Sequence, residues 1–417
     1  MKLKSIVICE KYWVLADQVV VSASAFLTNL LLARALGLSK YGLFSIVAMV
    51  QLLLLSVTMA FGAQVYQVVY PKLDDVKKRM LTIGMLSQQL ALAAALSALI
   101  PVLYLVAAKL NSSWLNTNVS LIAVAIIATA LYLLQDFLRR VFMTQGKGKA
   151  AFIIDFLTNA LQIIALGVFW YLHKINPVTA WFIIGFSFVP SILVGLYLLR
   201  PIKLTIEAFR FCWSQQRDRV GWLAGSSVLQ WGAGYFFVVA AGWFVGVAAL
   251  GALRLTQYLF GLLNLLFQAI ENYVLPKASA FIGDQNAYWW QLLKKCLLLI
   301  VPFLLLFSFF AKPILQLAGG IELRQYSFIV YGLSLVYLLM TIGYPVRIAI
   351  RSLQLNREYF IAYILSVFLN LCIAPWLLRH WELYGVLTGL FLNQLVIIGY
   401  WLIVLKRKQQ FLWKSFI

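Results

Sequence analysis

Residues 254–271 read RLTQYLFGLLNLLFQAIE, and the spacing of their polar members decides the fold. Arg254, Gln257, Gly261, Asn264, Gln268 and Glu271 recur at three- and four-residue steps in a segment that is otherwise apolar. At 100° per residue the six positions fall within about 100° of helix circumference. The segment is therefore a helix with one polar stripe and an apolar remainder. Such a helix sits in a protein core or in lipid, with the stripe facing something polar.

The rest of the chain decides for lipid. Of 417 residues, 63% are hydrophobic and only 11% charged, with a mean hydropathy of +0.91; about 25% charge is usual in a soluble domain. Runs of about 20 apolar residues, enough to cross a hydrocarbon core of about 30 Å as helix, recur from Trp13 to Leu405. They predict an all-α polytopic membrane protein of about twelve spans: 13–33, 43–69, 80–106, 119–138, 151–172, 178–199, 221–246, 252–275, 296–311, 327–346, 359–378 and 385–405. An even number of spans puts both termini on one side. Of the 34 Lys and Arg, 26 lie in the terminal segments and the alternate connections on that side, which predicts cytoplasmic termini.

The net charge of +21 is spread over seven short segments instead of forming one patch. That distribution suits anionic membrane lipids and argues against a nucleic-acid partner. The N-terminus has Lys2 and Lys4, but Glu10 and Lys11 interrupt any short apolar core and leave no signal-peptide pattern, so the first span is expected to stay in the membrane. The four cysteines include no C-x-x-C pair, and His173 and His380 stand alone at predicted outer connections. No disulfide, metal site, cofactor or catalytic residue is expected.

The longest connection, 200–220, interleaves Phe209, Phe211 and Trp213 with Arg210, Arg217 and Arg219. It reads as a cytoplasmic interfacial helix or linker between an N-terminal six-helix lobe, 1–199, and a C-terminal six-helix lobe, 221–417, that ends in a short basic tail. The halves open alike: Ala35-Leu36-Gly37 and Tyr70-Pro71-Lys72 in the first, Ala249-Leu250-Gly251 and Leu275-Pro276-Lys277 in the second. Two parallel six-span repeats imply a pseudo-two-fold axis along the membrane normal, with a cavity between the lobes.

Four spans carry polar stripes that are candidates to line such a cavity. The first has Asp17, Gln18, Ser22, Ser24, Thr28 and Asn29; the fifth Asp155, Thr158, Asn159 and Gln162; the seventh Ser226, Ser227, Gln230 and Gly234. The eighth is the stripe from Arg254 to Glu271, about 25 Å long at 1.5 Å per residue. Helix-to-helix hydrogen bonds are the alternative use for any one of these side chains. Ionisable groups at depth mark functional sites or pairs. Glu271, Asp17 and Asp155 are candidates for ion coupling, with Lys277 a nearby partner for Glu271, whereas Asp136 lies one turn from Arg139 and Arg140 and suits a local ion pair. Arg254 and Arg34 lie near the outer ends of their spans. Arg347 and Arg351, four apart on one face, and Arg139 with Arg140 offer guanidinium groups to phosphate at the cytoplasmic rim. Tyr235, Trp243, Tyr331, Tyr337 and Tyr344 read mainly as an interfacial belt.

Ala33-Arg34-Ala35-Leu36-Gly37 followed by Tyr41-Gly42-Leu43-Phe44-Ser45, the two Pro-Lys pairs after the second and eighth spans, and the six-plus-six layout resemble the polysaccharide and O-antigen (Wzx-type) flippases of the multidrug/oligosaccharidyl-lipid/polysaccharide (MOP) superfamily. The resemblance implies a bacterial inner-membrane transporter. It would move an undecaprenyl-pyrophosphate-linked oligosaccharide by alternating access, with ion coupling, for O-antigen or exopolysaccharide assembly. A polysaccharide polymerase and a chain-length regulator are its expected partners. Two rivals stand beside it: a multidrug or organic-cation antiporter of the same superfamily, which needs a buried free carboxylate, and a membrane-embedded polymerase or acyltransferase. The second wants a general base or a shaped external site, and neither a His at membrane depth nor a large outer loop is present.

Overall fold

The computed structural model describes residues 2–110, 113–200, 203–280, 285–353 and 355–407, and among them all regular structure is helical. The α-helices in chain order are α1 (Lys2–Phe61), α2 (Ala63–Val69), α3 (Asp75–Leu110), α4 (Ser113–Thr144), α5 (Gly148–Tyr171), α6 (Pro177–Leu199) and α7 (Ile206–Phe244). They continue as α8 (Val247–Leu259), α9 (Gly261–Ala280), α10 (Gln285–Phe309), α11 (Ala311–Gly319), α12 (Ser327–Ser352) and α13 (Asn356–Arg407). Nine helices among the described residues are each long and apolar enough to cross a membrane, and α8 with α9 forms a tenth crossing bent by 46°. Two of the nine, α1 and α13, have 60 and 52 residues, far more than one crossing needs. Each is broken once, α1 at Gly37 (φ 71°, ψ 166°) and α13 at Glu382 (φ 45°, ψ −123°). Two crossings in each give the twelve spans expected, and the chain is an all-α, multi-pass membrane protein.

The boundaries differ from expectation where charge lies inside a helix. The segment 206–220, read as an interfacial helix or linker, is the first part of α7 and runs unbroken into the seventh span. The ninth span begins well before residue 296, because Lys294 and Lys295 are carried on the exposed side of α10 with their stems along apolar surface. The connection 312–326 is mostly α11 and a short 3-10 helix. Asp74 caps α3, its Oδ1 accepting from the Lys77 backbone N–H at 2.8 Å. The basic tail beyond Arg407 and the side chain of Lys277 lie outside the described residues.

The chain packs into two units, one of Met1–Leu36 and Val47–Val228, the other of Gly37–Ile46 and Leu229–Ile417. A ten-residue piece at the start of the second span thus belongs with the second unit.

The first unit is tied together by charge. Asp17 of α1 and Asp155 of α5 are 0% and 2% exposed, and Arg139 of α4 stands between them. Arg139 Nη2 reaches Asp17 Oδ2 at 2.7 Å, and its Nε reaches Asp155 Oδ2 at 2.7 Å. Gln135, one turn earlier, donates its amide to Asp155 Oδ1. Three helices therefore meet on one guanidinium. Neutral hydrogen bonds extend the tie: Gln162 donates to Thr28 at 2.8 Å, and Thr158 to Ser191 of α6 at 2.7 Å. Arg140 pairs within its own helix with Asp136, at 2.6 Å.

The second unit uses close backbone approach. A Cβ on Gly42 would lie 2.0 Å from the Val247 carbonyl oxygen, and one on Gly251 would lie 2.3 Å from that of Leu38. The paired Ala-Leu-Gly motifs thus do different work. Gly37 breaks α1 with a positive φ, which glycine adopts without steric cost, while Gly251 is helical and admits a neighbouring backbone. The break ahead of α8 falls instead at Gly246, with φ 121°.

Two stability predictions follow from these contacts. Gly251→Ala and Gly42→Ala lower stability by about 1–3 kcal/mol through overpacking, whereas Gly225→Ala, with nothing within 4 Å of its Cβ, leaves it unchanged or raised; thermal unfolding of the detergent-solubilised protein measures all three. Arg139→Gln strands two buried carboxylates and costs about 3–5 kcal/mol, and adding Asp17→Asn recovers part of that loss in the same assay.

Candidate functional site

The stripe that opens the sequence reading lies on α8 and α9, bent between Leu259 and Gly261. Its partners all come from the second unit. At its first end Arg254 is only 5% exposed, so the side chain does not snorkel outward. Its Nη1 donates to Gln257 Oε1 at 2.9 Å and its Nη2 to the Tyr258 hydroxyl at 3.2 Å. The guanidinium lies over the rings of Tyr258 and Tyr235, 4.9 Å and 5.4 Å from their centroids, and fully buried Tyr41 faces the same group. Among the described residues no carboxylate pairs with Arg254, and its buried Nε has no acceptor. Such cation–π contacts are worth about 0.5–2 kcal/mol each. They stabilise the positive charge without neutralising it.

In the middle of the stripe, the Asn264 amide and the Tyr337 hydroxyl of α12 pair at 3.1 Å. Gln268 is exposed. At the far end Glu271 faces α12: Arg351 pairs with its Oε1, Arg347 Nη2 lies 3.7 Å from its Oε2, and the Tyr344 hydroxyl lies 3.2 Å from the same oxygen. Arg347 and Tyr344 also line a pocket of about 200 Å³, together with Gln230 and Gly234 of α7 and Tyr363, Asn393 and Trp401 of α13. Beneath it Asn393 donates to the Ala233 carbonyl at 3.1 Å and accepts from Ser366 and Asn370. That network fixes α7 against both segments of α13.

The remaining sequence candidates divide by what they touch. Asn29 and Asn159 donate to the carbonyls of Ala25 and Asp155, one turn back on their own helices, at 2.8 Å and 2.7 Å. Thr28 and Gln162 bond each other, and Ser227 is half-buried in α7. Arg34 is exposed, just before the Gly37 break. Arg139 and Arg140, expected at a phosphate rim, already hold Asp17, Asp155 and Asp136. Asp17 and Asp155, expected separately as coupling groups, share one arginine.

Sequence reading missed several members of the site. Tyr235, Tyr337 and Tyr344 were expected in an aromatic belt, yet Tyr235 covers Arg254 while Tyr337 and Tyr344 are buried. Trp243, at 88% exposed, does have the exposure of a belt residue. The i+4 spacing of Tyr258 from Arg254 was a readable signal. The pocket residues on α13 carry no such signal, since they meet α7 only through tertiary packing.

No family model matches the sequence, and no curated protein matches it. Solved structures do resemble the fold. One is a multidrug resistance MATE family transporter of the MOP superfamily in an inward-facing conformation, with a TM-score of 0.73 at 12% identity, covering 97% of this chain and 100% of that one. A second is the lipid II flippase MurJ in an inward closed conformation, with a TM-score of 0.71 at 16% identity over 94% and 86% of the two chains. A third is a MOP superfamily transporter from Pyrococcus furiosus, described as having a binding pocket of reverse polarity, with a TM-score of 0.66 at 14% identity over 97% and 96%. At these identities the likeness is one of architecture: the chain has the fold of the MOP superfamily transporters.

Proposed function

We propose that this chain is a transporter of the bacterial inner membrane, with both termini cytoplasmic, that moves an undecaprenyl-pyrophosphate-linked oligosaccharide to the outer leaflet by alternating access and without covalent chemistry. One observation carries this reading. The four acids inside predicted spans, Asp17, Asp136, Asp155 and Glu271, each lie against an arginine, while among the described residues the buried cation Arg254 meets no acid. The surplus charge at depth is positive. An ionisable group left so in lipid marks a substrate or ion pathway, and the complementary cargo is an anion.

A pyrophosphate linkage supplies that anion, and the glycan beyond it offers hydroxyls to Gln257, Asn264 and Gln268. The guanidinium of Arg254 suits phosphate because its planar fork donates two parallel hydrogen bonds. The organic-cation antiporter requires the opposite arrangement, a buried carboxylate free of any partner. Ion coupling, in this reading, belongs to Asp17 and Asp155. Two carboxylates share one guanidinium there, so one proton or small cation completes the charge balance. The name of the second structural relative, a lipid II flippase, agrees with a lipid-linked cargo.

Arg254→Gln removes a charge-assisted contact of about 1.5–3 kcal/mol, so surface polysaccharide in a complemented deletion strain falls roughly 10- to 150-fold. Cytoplasm-facing lipid-linked glycan accumulates as it falls. Arg254→Lys, which keeps the charge and loses the fork, is intermediate. Membrane levels of each variant, read by immunoblot, separate transport from folding. Wild-type export in both variants, or altered dye efflux with normal glycan export, refutes the proposal.

A further inference from the structure

Glu271 is an acid between two arginines, and its geometry is that of a stand-in. Arg347 and Arg351 lie one turn apart on α12 and face the same carboxylate. One carboxylate carries one negative charge against their two positive charges. Arg347, which also meets the Tyr359 hydroxyl, is the partner less fully matched by Glu271. Its 3.7 Å separation from Oε2 is longer than a hydrogen bond, and its buried Nε has no acceptor among the described residues. Tyr344 holds Glu271 no more firmly, because its hydroxyl also meets the Phe267 carbonyl and has one proton to give. Arg347 and Tyr344 at the same time line the 200 Å³ pocket, together with Gln394, Tyr363 and Trp401.

A phosphoryl group matches what this arrangement lacks. It brings three acceptor oxygens and more than one negative charge, against two oxygens and a single charge from Glu271. The pocket is smaller than the 300–1,000 Å³ common for organic ligands and is of a size that suits a phosphoryl group. We propose that the pocket is a phosphate site anchored by Arg347, and that Glu271, which meets Arg347 and Arg351 from outside the pocket lining, is an internal competitor that a doubly charged phosphate displaces from Arg347. Neutral or singly charged molecules gain too little from the two guanidinium groups to displace it. The site lies about 25 Å of helix path from Arg254, 17 residues at 1.5 Å, so one phosphoryl group occupies one of the two sites at a time. This inference rests on the transporter reading for its natural ligand, the pyrophosphate linkage of a lipid-linked sugar, whose two phosphates together carry two negative charges. The phosphomonoester headgroup of phosphatidic acid presents the same chemistry.

The test is calorimetric titration of inorganic pyrophosphate into the full-length protein in phosphatidylcholine nanodiscs. Glu271→Gln is expected to bind about 10-fold tighter than wild type, and Arg347→Gln at least 10-fold weaker. Glu271→Asp, which keeps the charge on a shorter arm, also binds tighter and serves if the Gln variant fails to fold. Arg347→Lys, retaining charge without the fork, serves for Arg347→Gln. Affinity unchanged or weakened in both Glu271 variants overturns the competitor role, and affinity unchanged in both Arg347 variants overturns the site. Phosphatidic acid added to the nanodiscs separates the sources: competition with pyrophosphate assigns the pocket to a resident phospholipid, and its absence assigns it to the lipid-linked cargo. Normal export by the Arg254 variants with these titration results intact removes the transport reading and leaves the pocket. Lost export in those variants with Glu271 variants that bind like wild type does the reverse.

Discussion

Charge matching in a medium that solvates no ions governs this chain. Moving a carboxylate into low dielectric costs several kcal/mol unless a partner and further hydrogen bonds accompany it, and the sequence accepts that cost four times inside its spans. Each time an arginine is the partner, with its fixed fork and its charge retained in every surrounding. The consequence is architectural as well as electrostatic. Because Arg139 meets Asp17 and Asp155, the packing of α1, α4 and α5 is specified at a point where apolar side chains distinguish poorly between neighbouring helices and lipid. Glu271 does the same for α9 and α12. Arg254 stands apart because tyrosine rings and an amide, not an acid, surround it.

A second constraint comes from the absence of any hydrophobic drive between helices in lipid, where association rests on close packing. Glycine supplies it where backbones meet. Gly84 lets the Ala208 carbonyl approach α3, and Gly385 admits the Leu377 carbonyl just after the Glu382 break. Gly42 and Gly251 do so for the beginnings of the second and eighth spans. The first of these contacts pins 206–216, read as an interfacial helix or linker, to α3, with Gln216 donating to Gln88 at 3.0 Å, and α7 runs through without a break.

Span number was legible because it depends on a length, about 20 apolar residues per crossing, that composition reports directly. The stripe was legible too, since 3.6-residue periodicity places Arg254 and Glu271 on one face whatever surrounds them. Its local partners follow from spacing: Gln257 and Tyr258 are three and four residues from Arg254. Long-range partners do not. Glu271 was matched to Lys277, six residues away, because sequence weighs nearness along the chain, while Arg347 and Arg351 reach it from more than 70 residues on. Asp17 and Arg139 are 122 residues apart. A depth count would have helped here, since both lie within about one turn of the same predicted membrane face. The unit-one candidates Thr28, Asn29, Asn159 and Gln162 show the converse case: their polarity was visible, but not which helix carbonyls and which of one another they would bond.

The neutral middle of the stripe has a physical reason under the proposed function. A transported anion must bind strongly enough to leave water and weakly enough to be released, a balance that multi-site pathways meet with several modest contacts. A guanidinium halfway along α8 and α9 would deepen the well at the one place from which neither side of the membrane is near. Gln257, Asn264 and Gln268 instead offer hydrogen bonds without charge, each replaceable by a sugar hydroxyl or water at little net cost. Positive charge is kept at the two ends, where Arg254 is cushioned by aromatic rings and Arg347 is countered by an acid of its own. Both ends are thereby attenuated, one by spreading the charge over π faces and the other by competition, and an attenuated site is one from which a phosphate can depart.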